Sequence, residues 1–134
     1  MTYLLDTNAV SDLMRADPRI ENWMAGLDLD DRVVTYTIVR GEVLFGIARL
    51  PVGRRRAELE ETGQQFLASL RCEQVPERAG DFYAAVKLFR QQRGLALDEN
   101  DLWVAATALA LGATLVSRDT DFAGIDGLPV VALE

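Results

Sequence analysis

Residues 98–119 read DENDLWVAATALALGATLVSRD. From Leu102 to Leu109 nearly every position is apolar, so a helix here has no solvated face and must lie centrally. Gly112 follows as the residue that ends it. Ala113-Thr114-Leu115-Val116-Ser117 is then a continuous apolar run of strand length, the kind found in parallel sheets covered on both faces. A buried helix feeding a buried strand is the mark of an α/β chain. The acids Asp98, Glu99 and Asp101 stand at the helix start and Asp119 just past the strand.

Working outward, the same alternation recurs. Tyr3-Leu4-Leu5 is a candidate first strand ending at Asp6, and Asn8 or Ser11 is the expected cap of a short helix running to Arg15. Pro18 suits a helix N1 position, with Ile20, Trp23, Met24 and Leu27 behind it at helical spacing. Val33-Val34-Thr35-Tyr36 reads as the second strand, followed by a helix from about Thr37 that stops before Pro51. Gly53 opens a helix with Leu59, Phe66, Leu67 and Leu70 as its core stripe. Cys72 to Val75 is a weak strand, and Pro76 begins a helical stretch through Phe82, Val86 and Phe89 to Arg93, broken by Gly94. Val130-Val131 suits a final edge strand. Residues 1–134 carry no repeat, low-complexity segment or linker, and are expected to form one domain.

Composition narrows the chemistry. There are 14 Lys+Arg against 21 Asp+Glu, a net charge of −7, so nucleic acid is not held here by bulk positive charge. The absence of histidine removes Ser-His-Asp, Cys-His and His-metal mechanisms together. Cys72 is the single cysteine and is expected to be a small half-buried residue. No apolar run approaches the ~20 residues of a membrane span, and the N-terminus lacks a signal sequence, so the chain reads as intracellular, a cytoplasmic protein. Any catalysis must come from carboxylates, arginines, hydroxyls or a hard metal ion.

Four carboxylates fall where ligands bind in open parallel sheets, at the carboxyl ends of strands. Asp6 follows the first strand and Asp119 the strand ending at Ser117, while Glu42 and Asp101 sit in early turns of helices that start on that side. Each has a plain structural role open to it: Asp6 and Asp101 as helix caps, Glu42 as a surface residue, Asp119 as a turn residue. Their joint placement is the stronger signal. Four carboxylates in one pocket repel, and a divalent cation with oxygen-only ligands, Mg²⁺ or Mn²⁺, is the economical resolution.

At this point the residues resemble the PIN-domain ribonucleases, and within them the VapC and FitB toxins of bacterial toxin–antitoxin pairs. The likeness is carried by Leu4-Leu5-Asp6-Thr7-Asn8, by Thr37-Ile38-Val39-Arg40-Gly41-Glu42-Val43 with Phe45-Gly46-Ile47, by Asn100 to Ala108, and by Gly112 to Phe122. It covers essentially the whole chain. It implies a PIN-like α/β fold, a five-stranded, mostly parallel sheet flanked by helices on both faces. It also implies that Asp6, Glu42, Asp101 and Asp119 are the metal-binding and catalytic acids, with Asp121 beside or instead of Asp119. Thr7 or Asn8 takes the small polar position near the metal, and Ser117 a position often held by threonine. Arg118 is expected to neutralise the acids or meet a substrate phosphate.

The implied activity is a Mg²⁺- or Mn²⁺-dependent endoribonuclease acting as the toxin of a type II pair. A homodimer and a VapB-like antitoxin that blocks the acidic cleft go with it. Leu13, Met14, Trp23 and Met24 on the first two helices are candidates for the antitoxin groove, with core packing the equal or better explanation for each singly, and Arg54-Arg55-Arg56 is expected to be a solvated helix start paired with Glu58, Glu60 and Glu61. Asp98 and Glu99 are expected in a solvated acidic loop. Other readings are a PIN nuclease that processes RNA without being a toxin, and a catalytically silent PIN interaction module. A receiver domain or a haloacid-dehalogenase-type phosphatase fits poorly, because position 8 is Asn8 and the sole lysine, Lys87, lies in a helical stretch.

Overall fold

The computed structural model describes residues 1–133. It contains one sheet of five strands in the order β3-β2-β1-β4-β5, with every neighbouring pair parallel. The strands are β1 (Thr2–Leu5), β2 (Arg32–Tyr36), β3 (Arg71–Glu73), β4 (Thr114–Ser117) and β5 (Val130–Ala132). Six α-helices connect them: α1 (Thr7–Met14), α2 (Pro18–Ala25), α3 (Thr37–Ala48), α4 (Arg54–Ser69), α5 (Arg78–Gln92) and α6 (Glu99–Leu111). A 3-10 turn at Thr120–Phe122 joins β4 to β5.

β1 is the middle strand, paired with β2 on one side and β4 on the other. Leu4 pairs in register with Val34 on one side and Leu115 on the other, and Leu5 pairs with Val116. All five side chains are buried. Each contributes about 1.5–3 kcal/mol of apolar burial, which fixes the sheet centre against the polar-ended strands outside it. From β1 the chain steps outward to β2 and β3, then crosses back to β4 on the other side. That reversal opens a crevice between the carboxyl ends of β1 and β4. Right-handed crossovers send the helices before and after the reversal to opposite faces. Accordingly α1 packs on α2, α3 and α4, while α5 packs chiefly on α6.

α6 is the apolar helix read from the sequence, with Leu102, Val104, Ala105, Ala106, Thr107 and Ala108 all buried. Gly112 ends it at φ +63°, a left-handed conformation that costs a side chain with a Cβ about 1 kcal/mol. On the other face α4 crosses α1 and α3 closely at Gly63. A Cβ there would meet Ile47 Cδ1 at 2.9 Å and Met14 Cε at 3.3 Å.

Several expectations change at this level. α1 starts at Thr7 and its cap is Asp6, because the Asp6 carboxylate reaches the amide of Ala9; neither Asn8 nor Ser11 plays that part. α5 begins two residues after Pro76, at Arg78. In α4 the buried positions are Gly63 and Leu67, with Leu59, Phe66 and Leu70 only partly covered. Phe89, within the helical stretch read from the sequence, is 40% exposed. Cys72 lies on the edge strand β3 with its side chain exposed, since that short strand has a helix-free outer flank.

The tight crossing yields a stability prediction. Gly63→Leu forces Ile47 and Met14 apart and should lower stability by about 2–3 kcal/mol. Gly80→Ala, on an exposed turn of α5 with open space around it, should raise it by about 0.5–1 kcal/mol. Urea unfolding of both variants with unchanged m values checks the pair.

Candidate active site

The crevice between β1 and β4 is built around one carboxylate. Asp6, at the end of β1, has extended backbone and caps α1: Ala9 N–H donates to Oδ1 at 2.8 Å. Its other oxygen, Oδ2, accepts a 2.5 Å hydrogen bond from Ser117 Oγ at the end of β4. The Ser117 hydroxyl in turn accepts from the backbone N–H of Asp119 at 3.0 Å, and Asp119 Oδ1 accepts from Asp121 N–H at 2.9 Å. One run of hydrogen bonds thus links the two strand ends and sets the turn that follows β4.

The other two acids arrive on helices. Glu42 lies in the second turn of α3, where Thr7 Oγ1 donates to its Oε1 at 2.9 Å. Asp101 lies in the first turn of α6, next to the cap formed by Asp98 on the amide of Asn100. Burial pushes the Asp6 carboxyl up from its ordinary value, against the hydrogen bonds from Ser117 and Ala9. Asp101 is pushed up to about 6, first by burial and then by the charges of Asp119, Asp98, Glu42 and Asp6. Asp101 therefore sits in the combined field of the other three expected acids. Asp121 is exposed.

The remaining expected residues divide. Thr7 and Ser117 hold site carboxylates directly, while Asn8 lies exposed on the first turn of α1. Arg118 meets expectation in part, since its charge favours the ionised form of Asp6, but its hydrogen bond goes elsewhere. Its Nε donates to Asp12 Oδ2 at 3.0 Å, so its partner is an acid outside the group of four. Asp12, which is only 2% exposed, also pairs with Arg15. This residue was not singled out from the sequence. The available signal was an acid three residues after the buried Ala9, on the inward stripe of α1, with an arginine one turn further on. Asp98 and Glu99 are exposed as expected but not loose: Asp98 caps α6, and Glu99 accepts from Tyr83 and Lys87.

A groove of about 950 Å³ runs from the acids along α1, α3 and α4. Thr7, Glu42 and Asn100 line its inner end, Phe45 and Ile47 its apolar wall, and Arg55 stands on its outer side. Of the four candidates for such a groove on the first two helices, Met14 alone lines it. Trp23 is instead edge-on to Tyr3 at 5.0 Å between ring centres, and Leu13 packs on the core. Arg54 and Arg56 pair with Glu58 and Glu60 as expected.

Among the described residues, no three Asp, Glu or Cys side chains stand close enough together to hold a metal ion between them. The donor set nevertheless suits Mg²⁺ or Mn²⁺. Mg²⁺ is commonly held through one or two carboxylates with the remaining positions filled by water. A half-buried Asp101 whose ionisation is opposed by burial and by four neighbouring acids is also a group that a divalent cation stabilises.

Residues 3–128 match the model of the PIN domain. Over 96% of this chain and 95% of the relative, it is 32% identical to the plasmid stability protein StbB of Pseudomonas syringae pv. tomato. It is 30% identical to toxin FitB of Neisseria gonorrhoeae over 87% of both chains, and 29% identical to VapC ribonuclease Y4jK of Sinorhizobium fredii over 92% and 93%. The crystal structure of FitAcB from Neisseria gonorrhoeae superposes with a TM-score of 0.82 at 29% identity, covering 96% of this chain and 95% of that one.

The field at Asp101 has a measurable consequence. A carboxyl with a raised folded-state pKa favours the folded state while protonated, and that advantage is lost as pH rises from about 4 through 6. Asp101→Asn should therefore gain stability over the wild-type chain as pH goes from 5 to 7.5. The gain should be about 1 kcal/mol after allowance for solvent screening at a half-buried group. Added Mn²⁺ should close the gap at pH 7.5 by stabilising the wild-type chain alone. Thermal melts at the two pH values, with and without Mn²⁺, read both effects.

Proposed function

The chain belongs to the PIN-domain family, and from that premise we propose that it is a metal-dependent endoribonuclease whose site is Asp6, Glu42, Asp101 and Asp119. The observation that carries this reading is the field at Asp101, raised by the charges of the other three acids at the β1–β4 switch point. Asp119 is preferred to Asp121 as the fourth acid because its charge reaches both Asp6 and Asp101.

Mg²⁺ or Mn²⁺ bound by these acids would supply Lewis-acid stabilisation of charge on a phosphate and a more acidic attacking water. The chain's own residues do the rest. Ser117 and Ala9 hold Asp6 in one orientation through both of its oxygens, and Thr7 does the same for one oxygen of Glu42. Fixed carboxylates lose no freedom when charge develops at the phosphate, which is the economy of a preorganised site. With no histidine in the chain, protons move through a carboxylate or bulk water. Hydrolysis of the RNA phosphodiester then leaves a 3′-hydroxyl and a 5′-phosphate. Arg118 acts at one remove, by tying the Asp119 turn to α1 through Asp12.

The net charge of −7 disfavours tight binding of RNA by bulk charge, so substrate affinity is local and weak, as suits an enzyme that releases its products. The groove gives a route for regulation. Its apolar wall, its arginines and its opening at Glu42 fit the C-terminal segment of a VapB-like antitoxin that covers the acids. The chain is accordingly read as the toxin of a type II pair, a homodimer in the cytoplasm, with residues 1–134 as one domain. Among the described residues, no helix is long and apolar enough to cross a membrane.

Cleavage of total bacterial RNA by the purified chain, with Mg²⁺, Mn²⁺ or EDTA, tests the reading. Asp6→Asn keeps a good capping residue and Asp101→Asn removes a repelled charge, so both variants should fold. Discrete fragments that require metal and fall at least 100-fold in each variant are expected. A folded chain that neither cleaves nor binds Mn²⁺ would leave the four acids without this role and favour an interaction module.

A further inference from the structure

α5 carries a guanidinium that the site above does not use. Arg90 is 8% exposed, and its Nε has no hydrogen-bond partner. Among the described residues it forms no ion pair with a carboxylate. It lies in the wall of a second cavity, of about 190 Å³, between α5, α6 and the turn at Gly124–Asp126. Phe82, Val86, Phe89, Leu109 and Ile125 make most of that wall apolar. The one acid there, Asp126, is exposed and leaves Arg90 unpaired.

A nearly buried guanidinium whose Nε lacks a partner leaves a charged donor unsatisfied, and that costs more than an unmade bond at a neutral group. The arrangement lacks an anion. A single guanidinium balances a single negative charge, and its planar fork matches a carboxylate. A bare phosphate has no apolar part to set against the cavity's apolar wall, whereas an organic acid has one. The size sets the rest of the ligand: an apolar cavity of about 150 Å³ holds benzene, so this one has room for one ring or a branched chain besides the carboxyl group. Arg93 covers one face of the Phe89 ring at 3.5 Å and Arg78 one face of Phe82 at 5.7 Å, which leaves the edges and opposite faces for such a body.

We propose that this cavity binds a small organic acid, its carboxylate paired with Arg90 and its apolar body set between Phe82 and Phe89. The site is separate from the four acids, and its occupancy is read without reference to RNA cleavage. Phenylacetate, its neutral counterpart phenylacetamide, and inorganic phosphate are titrated by calorimetry against the full chain and against Arg90→Met and Ala85→Leu. Ala85 is an exposed residue on the cavity wall, so its enlargement fills the space without disturbing the core.

Saturable binding of phenylacetate is expected, at least tenfold tighter than binding of the amide or of phosphate, and at least tenfold weaker in both variants. Without ligand, Arg90→Met should melt several degrees higher than the wild-type chain, because an unpaired charge has been replaced by an apolar chain of similar length. Equal binding of acid and amide would overturn the proposal. So would no binding to the folded wild-type chain, retention of binding in Ala85→Leu, or a lower melting temperature in Arg90→Met.

Discussion

Everything at the strand-end crevice depends on the carboxylate of Asp6 being held from two sides. One oxygen closes the first turn of α1 and the other receives the hydroxyl that terminates β4. The first bond alone would make Asp6 an ordinary N-cap, worth about 1 kcal/mol to its helix. The second makes it a fastening between two strands that pair in the middle of the sheet. The same group is buried, which disfavours its charge. A carboxylate that caps a helix is thus placed where its ionisation is opposed, and its hydrogen bonds offset only part of that cost. Active sites commonly carry this kind of tension, retained at the expense of stability.

A second tie reinforces the first. Asp12 lies 6 residues beyond Asp6 on α1 and takes Arg118 from the turn beyond β4. Asp6 holds the strand end, and Asp12 holds the turn through which Asp119 is presented. Without the Arg118 contact, Asp119 would depend on short-range bonds within its own turn. The helices then complete the site from the other faces: α3 brings Glu42 against Thr7, and α6 brings Asp101 over the same crevice. The groove exists because α3 and α4 form an arm beside α1, brought close at Gly63.

Much of this was legible in the sequence, for identifiable reasons. α6 and β4 were read from composition alone, since a run without polar residues leaves a buried element as the only stable choice. Asp6 and Asp119 were found by position, because strand ends in a parallel sheet all face one way. β3 was blurred: three residues on an edge, with Cys72 exposed, carry no periodicity to read. The part that α3 and α4 play in the groove beside α1 was not read, because Gly63 leaves no mark in a hydrophobic pattern. Only in three dimensions does its missing side chain bring α4 onto Ile47 and Met14. Asp12 and Arg90 were passed over as ordinary helix charges. Their significance lies in burial, which for a charged residue depends on partners distant in sequence or on their absence.

The two fastenings of the crevice have a consequence for the order in which the protein is made. Asp6 waits for Ser117, 111 residues later, and Asp12 waits for Arg118, 106 residues later. A ribosome builds α1, α3 and the groove well before it has translated β4. Until then, Asp6 has only its cap and Asp119 does not yet exist. Each nascent chain therefore passes through most of its synthesis with the groove's walls already made and the acidic crevice incomplete. In the cell, the surface offered to a partner is born before the chemistry that the partner would restrain.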